Sequence, residues 1–135
     1  MMFIAHRDVE SRVMAALAAS GVEDLTIAQS RLMQRLSSAG TRLTDLADQA
    51  RVTKQTAGAL VDQLERAGYV TREPDPVDAR ARLVTLSDKG ACVCRLAAAE
   101  VARVERGWRK HLGDKAFDDL RAALISLREI TDPYR

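Results

Sequence analysis

Gln55, set among Thr53, Lys54 and Thr56, is the side chain of this sequence best suited to reading a nucleic-acid base. Its amide carries a donor and an acceptor at the spacing that bridges N6 and N7 of adenine in the major groove. Thr53 caps an amphipathic pattern over Thr53–Ala67, so Thr53, Lys54 and Thr56 stand at the positive end of a helix, where phosphates are held. On a wheel of about 100° per residue, Ala57, Leu60, Val61 and Leu64 share one side and Gln55, Ala59, Asp62 and Arg66 the other. Gly58 and Ala59 are small enough for a groove wall to come close to the backbone. Asp62 is the exception on that outer face, since a carboxylate there would meet phosphates.

Downstream, Tyr69–Glu73 and Arg82–Leu86 read as two strands around a turn-rich tip that contains Asp75-Pro76 and Asp78. Arg80 and Arg82 alternate with Ala81 and Leu83, which predicts that both arginines leave one strand face. Arginines there can reach a phosphate or a narrow minor groove, with Asp78 bonding the local backbone or Arg80. Taken singly, the helix is also a well-capped solvated face, and the ribbon a charged hairpin that resists edge-to-edge pairing. The preceding helix, Thr44–Ala50, joined through Arg51-Val52, makes the combination a helix-turn-helix followed by a ribbon.

Other chemistries find little support. His6 and His111 are single, and Cys92 and Cys94 lie two apart in a helical pattern on different faces, so no metal spacing appears. The cysteines suit a small apolar role in a reduced, cytoplasmic protein. Asp118-Asp119 point apart on a helix, and there is no phosphate-binding glycine loop, nucleophile elbow or His-Glu-x-x-His. No catalytic residue and no cofactor are expected, and the chain is not read as an enzyme. Five aromatics among 135 residues are too few for single-strand stacking. Net charge is +2, and residues 42–90 hold eight basic against eight acidic side chains, so any DNA affinity must come from placement rather than from a polycation. No apolar run approaches the ~20 residues of a membrane span.

The elements that must position these residues follow from periodicity. A first helix covers residues 5–20 with Val9, Val13, Met14 and Leu17 in register. Thr26 caps a second, whose buried stripe is Ile27, Leu32, Met33 and Leu36, ended by Ser37–Gly40. Ser87 caps a long helix carrying Val93, Ala97, Val101, Val104 and Trp108. Gly113 breaks it before a last helix over 114–131. The expected fold is mainly α with a small β-hairpin wing. Its parts are an N-terminal helix (1–24), a winged helix-turn-helix (25–90) and C-terminal helices (91–135). Val9, Val13, Leu17, Phe117, Leu120, Leu124 and Leu127 form apolar stripes beyond the central lobe, for which a second copy of the chain is the economical partner.

Leu25-Thr26-x-x-Gln29-x-x-Leu32-Met33-x-x-Leu36, Leu43-Thr44-Asp45-Leu46-Ala47, Val52-Thr53-Lys54-Gln55-Thr56 through Tyr69-Val70, Arg72-Glu73-Pro74-Asp75-Pro76-x-Asp78-x-Arg80 and Leu86–Gly90 occur in unbroken order. Together these segments resemble the MarR family of winged-helix transcriptional regulators. The resemblance implies a homodimer on pseudo-palindromic duplex DNA, usually a repressor, with Thr53, Lys54, Gln55, Thr56, Gly58, Asp78, Arg80 and Arg82 at the DNA. It also implies a small, often phenolic or lipophilic effector between the dimer arm and the DNA-binding lobe. Ala79 replaces a common basic residue of the wing, and no cysteine occupies the first helix, so peroxide sensing is not carried over. A winged-helix module that binds a ligand or a protein without reading DNA is the competing expectation.

Overall fold

Three hydroxyl side chains fix where helices begin. Thr26 Oγ1 accepts the N–H of Gln29, and Gln29 Oε1 accepts the N–H of Thr26, a reciprocal capping box. Thr53 accepts from Thr56 N–H, and Ser87 from Gly90 N–H. The computed structural model describes residues 2–134; Met1 and Arg135, the outer ends of the first and third expected segments, lie outside it. In chain order the elements are α1 (Met2–Ala19), α2 (Ile27–Met33), β1 (Thr41–Arg42), α3 (Leu43–Ala50), α4 (Lys54–Arg66), β2 (Val70–Pro74), β3 (Arg82–Leu86), α5 (Asp88–Leu112) and α6 (Asp114–Thr131).

The architecture is mainly helical with a small antiparallel sheet, as the pattern predicts, but the sheet has three strands in the order β1-β3-β2. Thr41 pairs with Val84 and Arg42 with Leu83, while β2 and β3 pair from Val70↔Leu86 to Pro74↔Arg82. A two-residue strand has no periodicity of its own, so β1 is invisible to pattern reading. α4 ends in a Schellman motif: Tyr69 N–H donates to Leu64 O, Gly68 N–H to Glu65 O, and Gly68 takes φ +82°. That motif turns the chain from α4 into β2 without a linker. At the α3–α4 turn, Arg51 occupies the left-handed region at φ 54°.

One core runs through Leu17, Leu32, Leu46, Val61, Leu64 and Val84, each 0–1% exposed. Two expectations change here. Val13 and Leu17 of α1 are buried in that same core and Val9 is half-buried against it, so this stripe is spent largely within the protomer. The reason is that α1 lies along α5 and over α2 and closes the central lobe from outside. Ile27, expected in the α2 stripe, is exposed, whereas Leu36 lies beyond the helix end and still packs on the core. α2 starts where its Thr26 cap predicts and ends at Met33, about one turn before Leu36.

Candidate nucleic-acid interface

α4 presents the two-sided wheel that its sequence dictates. Ala57, Val61 and Leu64 are buried, and Thr53, Lys54, Gln55, Thr56, Ala59, Asp62 and Arg66 are exposed. Thr53 Oγ1 donates to Thr56 Oγ1 (2.9 Å) while accepting the Thr56 N–H (3.0 Å), so the Thr56 hydroxyl proton is not used in this pair. Gly58 is half-buried beside Leu43, and a methyl group there would meet only ordinary contact. Its smallness is therefore not demanded by the packing.

The wing is organised by two aspartates. Asp75, 7% exposed, accepts Val77 N–H at 2.8 Å, and its own N–H donates to Ala81 O. Asp78 Oδ1 accepts the N–H of Arg80 at 3.0 Å, the local bond expected of it. Arg80 lies in the turn before β3 rather than on the strand, because the Asp78–Ala81 turn closes first. The alternation that would put Arg80 and Arg82 on one strand face thus does not reach Arg80. Arg82 begins β3 opposite Pro74.

Wing, β1 and the start of α4 enclose a cleft of about 410 Å³ that gathers Arg42, Lys54, Arg72, Arg80 and Arg82 against one carboxylate, Asp78. Arg42 and Arg72 were not singled out in the sequence. Each is committed to an acid: Arg42 Nη2 lies 2.6 Å from Asp75, and Arg72 bonds Asp62 at 2.6 Å and Glu65 at 3.3 Å. Asp62 is therefore neutralised from the wing and does not stand bare on the outer face of α4. Among the described residues, Lys54, Arg80 and Arg82 have no ion-pair partner. Five cations converging from residues 42 to 82 could be found in sequence only by knowing that β1 pairs with β3. The Val77 N–H and, next, the Arg42 guanidinium hold the Asp75 carboxyl below its usual range, so it stays ionised.

Two further hollows lie away from this face. One of about 580 Å³ opens between α1, α2 and α5, with apolar walls from Val9, Val13, Met33 and Val101 and with Ser30 and Gln34 at its polar side. Cys94 also lines it, and burial raises its thiol pKa. The other, about 740 Å³, lies along α6 and the start of α1. It is bordered by Leu120, Leu124 and Leu127, which are exposed. Phe117 is not: it is buried with the Arg109 guanidinium 4.5 Å from its ring centroid, so it belongs to the α5–α6 elbow and not to an outward stripe. Among the described residues no cluster of His, Cys, Asp and Glu could hold a metal ion, and no helix is long and apolar enough to cross a membrane.

Residues 23–81, the helix-turn-helix and most of the wing, match the model of the MarR family. The transcriptional activatory protein BadR of Rhodopseudomonas palustris is 34% identical over 93 residues, 69% of this chain and 52% of BadR. The chain belongs to the MarR family. The match spans about half the length of that curated relative. Among solved structures, the transcriptional repressor CouR bound to a 23-mer DNA duplex superposes with a TM-score of 0.70 at 26% identity, over 93% of this chain and 88% of CouR. CouR from Rhodococcus jostii RHA1 bound to p-coumaroyl-CoA has a TM-score of 0.72 at 22% identity, over 99% and 91% of the two chains. At that identity the second likeness speaks to the MarR fold alone.

Proposed function

We propose that this MarR-family protein is a sequence-specific regulator of transcription that binds a pseudo-palindromic duplex site as a homodimer, and that it represses. The observation that carries the reading is the exposed end of α4, with Gln55 free beside Thr53, Lys54 and Thr56, next to a cleft of five cations and one carboxylate. α4 enters the major groove, Gln55 bridges an adenine, and Arg80 and Arg82 hold flanking backbone or minor groove. Gly58 and Asp78 sit at the interface as backbone-level supports. Repression follows from a dimer lying across two successive grooves about 34 Å apart, where it excludes other proteins. CouR, described as a repressor bound to DNA, supports that direction, whereas BadR is described as activatory. The hollow between α1, α2 and α5 is the proposed seat of a small, lipophilic or phenolic effector, since its walls are mostly apolar and it separates the lobe from the arm. The protein is taken to act in the cytoplasm, where the DNA is.

Selection of bound fragments from random duplex DNA tests this. A palindromic consensus is expected. Gln55→Ala should relax preference at one position of each half-site, a loss of about 1–3 kcal/mol against the preferred base. With three unpaired cations per protomer on phosphates, log K should fall against log salt with a slope of about −5 for the dimer. Recovery of no enriched sequence, with affinity indifferent to Gln55, would leave the module without DNA readout as the better reading.

A further inference from the structure

Arg42 is the last residue before α3 and half of the two-residue strand β1. Its side chain does not simply join the basic cleft. Nε and Nη2 lie 2.7 and 2.6 Å from Asp75 Oδ2, across 33 residues of chain. The second oxygen of Asp75 holds the Val77 N–H, and the Asp75 N–H holds Ala81 O. One residue, Asp75, therefore ties β1 and the tip of the wing through its nearly buried carboxylate, and the start of β3 through its backbone N–H; the same tip holds Asp78, which fixes the Arg80 backbone. The Arg42 backbone pairs with Leu83, next to Arg82. The guanidinium is thus a strut between the base of the helix-turn-helix and the root of the wing.

We propose that Arg42 is a positioning residue for DNA binding: by holding Asp75 it locks the wing root, and so sets where Arg80 and Arg82 stand relative to α4. This rests on the DNA-binding reading above. The geometry favours a strut over a phosphate ligand for two reasons. Both donors on the inner edge of the guanidinium already engage one oxygen of a carboxylate that is nearly buried and itself fixed by backbone N–H. Transferring Arg42 to a phosphate would leave that carboxylate without its counter-charge, which is costly for a group removed from water. Arg72 plays no equivalent part at the root, since it faces Asp62 and Glu65 on α4.

The two roles predict opposite signs for Asp75→Asn. A strut loses its tie, and binding weakens. A phosphate ligand is freed and a repelling charge removed, and binding tightens. On a duplex selected by the wild-type protein, Arg42→Ala and Asp75→Asn are each expected to weaken binding about fivefold to tenfold. The double variant should be no weaker than the worse single one, because both cut the same tie. Arg42→Lys, which keeps a single N–H···O contact, should recover part of the affinity. Amide exchange at Val77 and Ala81 should quicken about tenfold in both single variants while Val61 in the core is unchanged, which separates a loosened wing from a failed fold. Tightened or unaltered binding by Asp75→Asn, with Arg42→Ala alone lowering the salt slope by roughly 0.9 per lost contact, overturns the proposal. If the wild-type protein binds no duplex, the DNA reading fails by itself, and the exchange measurement decides the tie: unaltered Val77 and Ala81 amides reject it.

Discussion

A methyl group on residue 90 would sit 2.0 Å from the carbonyl oxygen of Tyr69. That oxygen also accepts the Ser87 N–H at 3.0 Å, so the first turn of α5 rests directly on the exit of α4. The neighbour is backbone, and the contact cannot be relieved by turning a side chain. Gly90→Ala should cost about 2–4 kcal/mol through forced separation of the two elements, seen as a lowered denaturant midpoint in urea. An effect below about 0.5 kcal/mol would mean that the α5 start slides freely over Tyr69. In sequence Gly90 is only a small residue in a helical run, where it is unfavourable by propensity. Its reason lies in a contact 21 residues back, and no local signal carries it. The same holds for Arg42, one of eight cations until β1 is paired with β3. By contrast, Thr53, Lys54, Gln55 and Thr56 were legible, because capping and helix-face position are local properties that packing did not override.

At the scale of elements, starts and stops were readable wherever a cap or a left-handed glycine marks them: Thr26, Thr53, Ser87, Gly68 and Gly113. What escaped were β1, too short to show a period, and the tie between the α1–α2 loop and the wing entry. There Tyr69 OH donates to the Asp24 carboxylate, with the Lys89 ammonium 4.2 Å from the ring centroid. Burial first, then the bond to Asp24, pushes the Tyr69 phenol to about 12, and the same bond holds Asp24 below its usual value. The signs follow from linkage. Asp24 binds its proton less readily folded than unfolded, so its contribution is complete above the ordinary carboxylate value of ~3.9 and is lost on acidification. Tyr69 holds its proton more tightly folded, so its contribution is complete below the ordinary phenol value of ~10 and is lost as pH rises towards about 12. Tyr69→Phe should lower stability at pH 7 by about 1.5 kcal/mol, the low end for a bond to a charged group because Asp24 is exposed, and flatten both flanks of the stability–pH curve. Urea titrations from acid to alkaline pH check this. An unchanged alkaline flank would show that the tie does not survive in solution.

At the scale of the whole molecule the open question is which stripes belong to the protomer and which to a partner. Helical periodicity reveals that a face is apolar, and it is silent about what covers that face. The stripe of α1 and Phe117 went inward. Leu120, Leu124 and Leu127 stayed outside, joined by Ile125 and Ile130 on α6 and by Met2, Phe3 and Ile4 at the other end of the chain. An exposed row of this size on a MarR-family protein is best covered by its symmetry mate, and the proposed dimer should bury more than ~2,000 Å² in total. Leu124→Glu combined with Leu127→Glu puts four carboxylates into that interface, two from each copy, while leaving the lobe core untouched. The doubly substituted protein should be monomeric at micromolar concentration by sedimentation equilibrium and keep its helical circular dichroism. It should also bind a palindromic duplex at least about 100-fold more weakly, because the second half-site is then no longer engaged at high effective concentration. A wild-type protein that sediments as a monomer at micromolar concentration would remove the dimer, and with it the expectation of a two-fold site. A variant that becomes monomeric yet keeps full affinity would instead show that one lobe suffices for recognition.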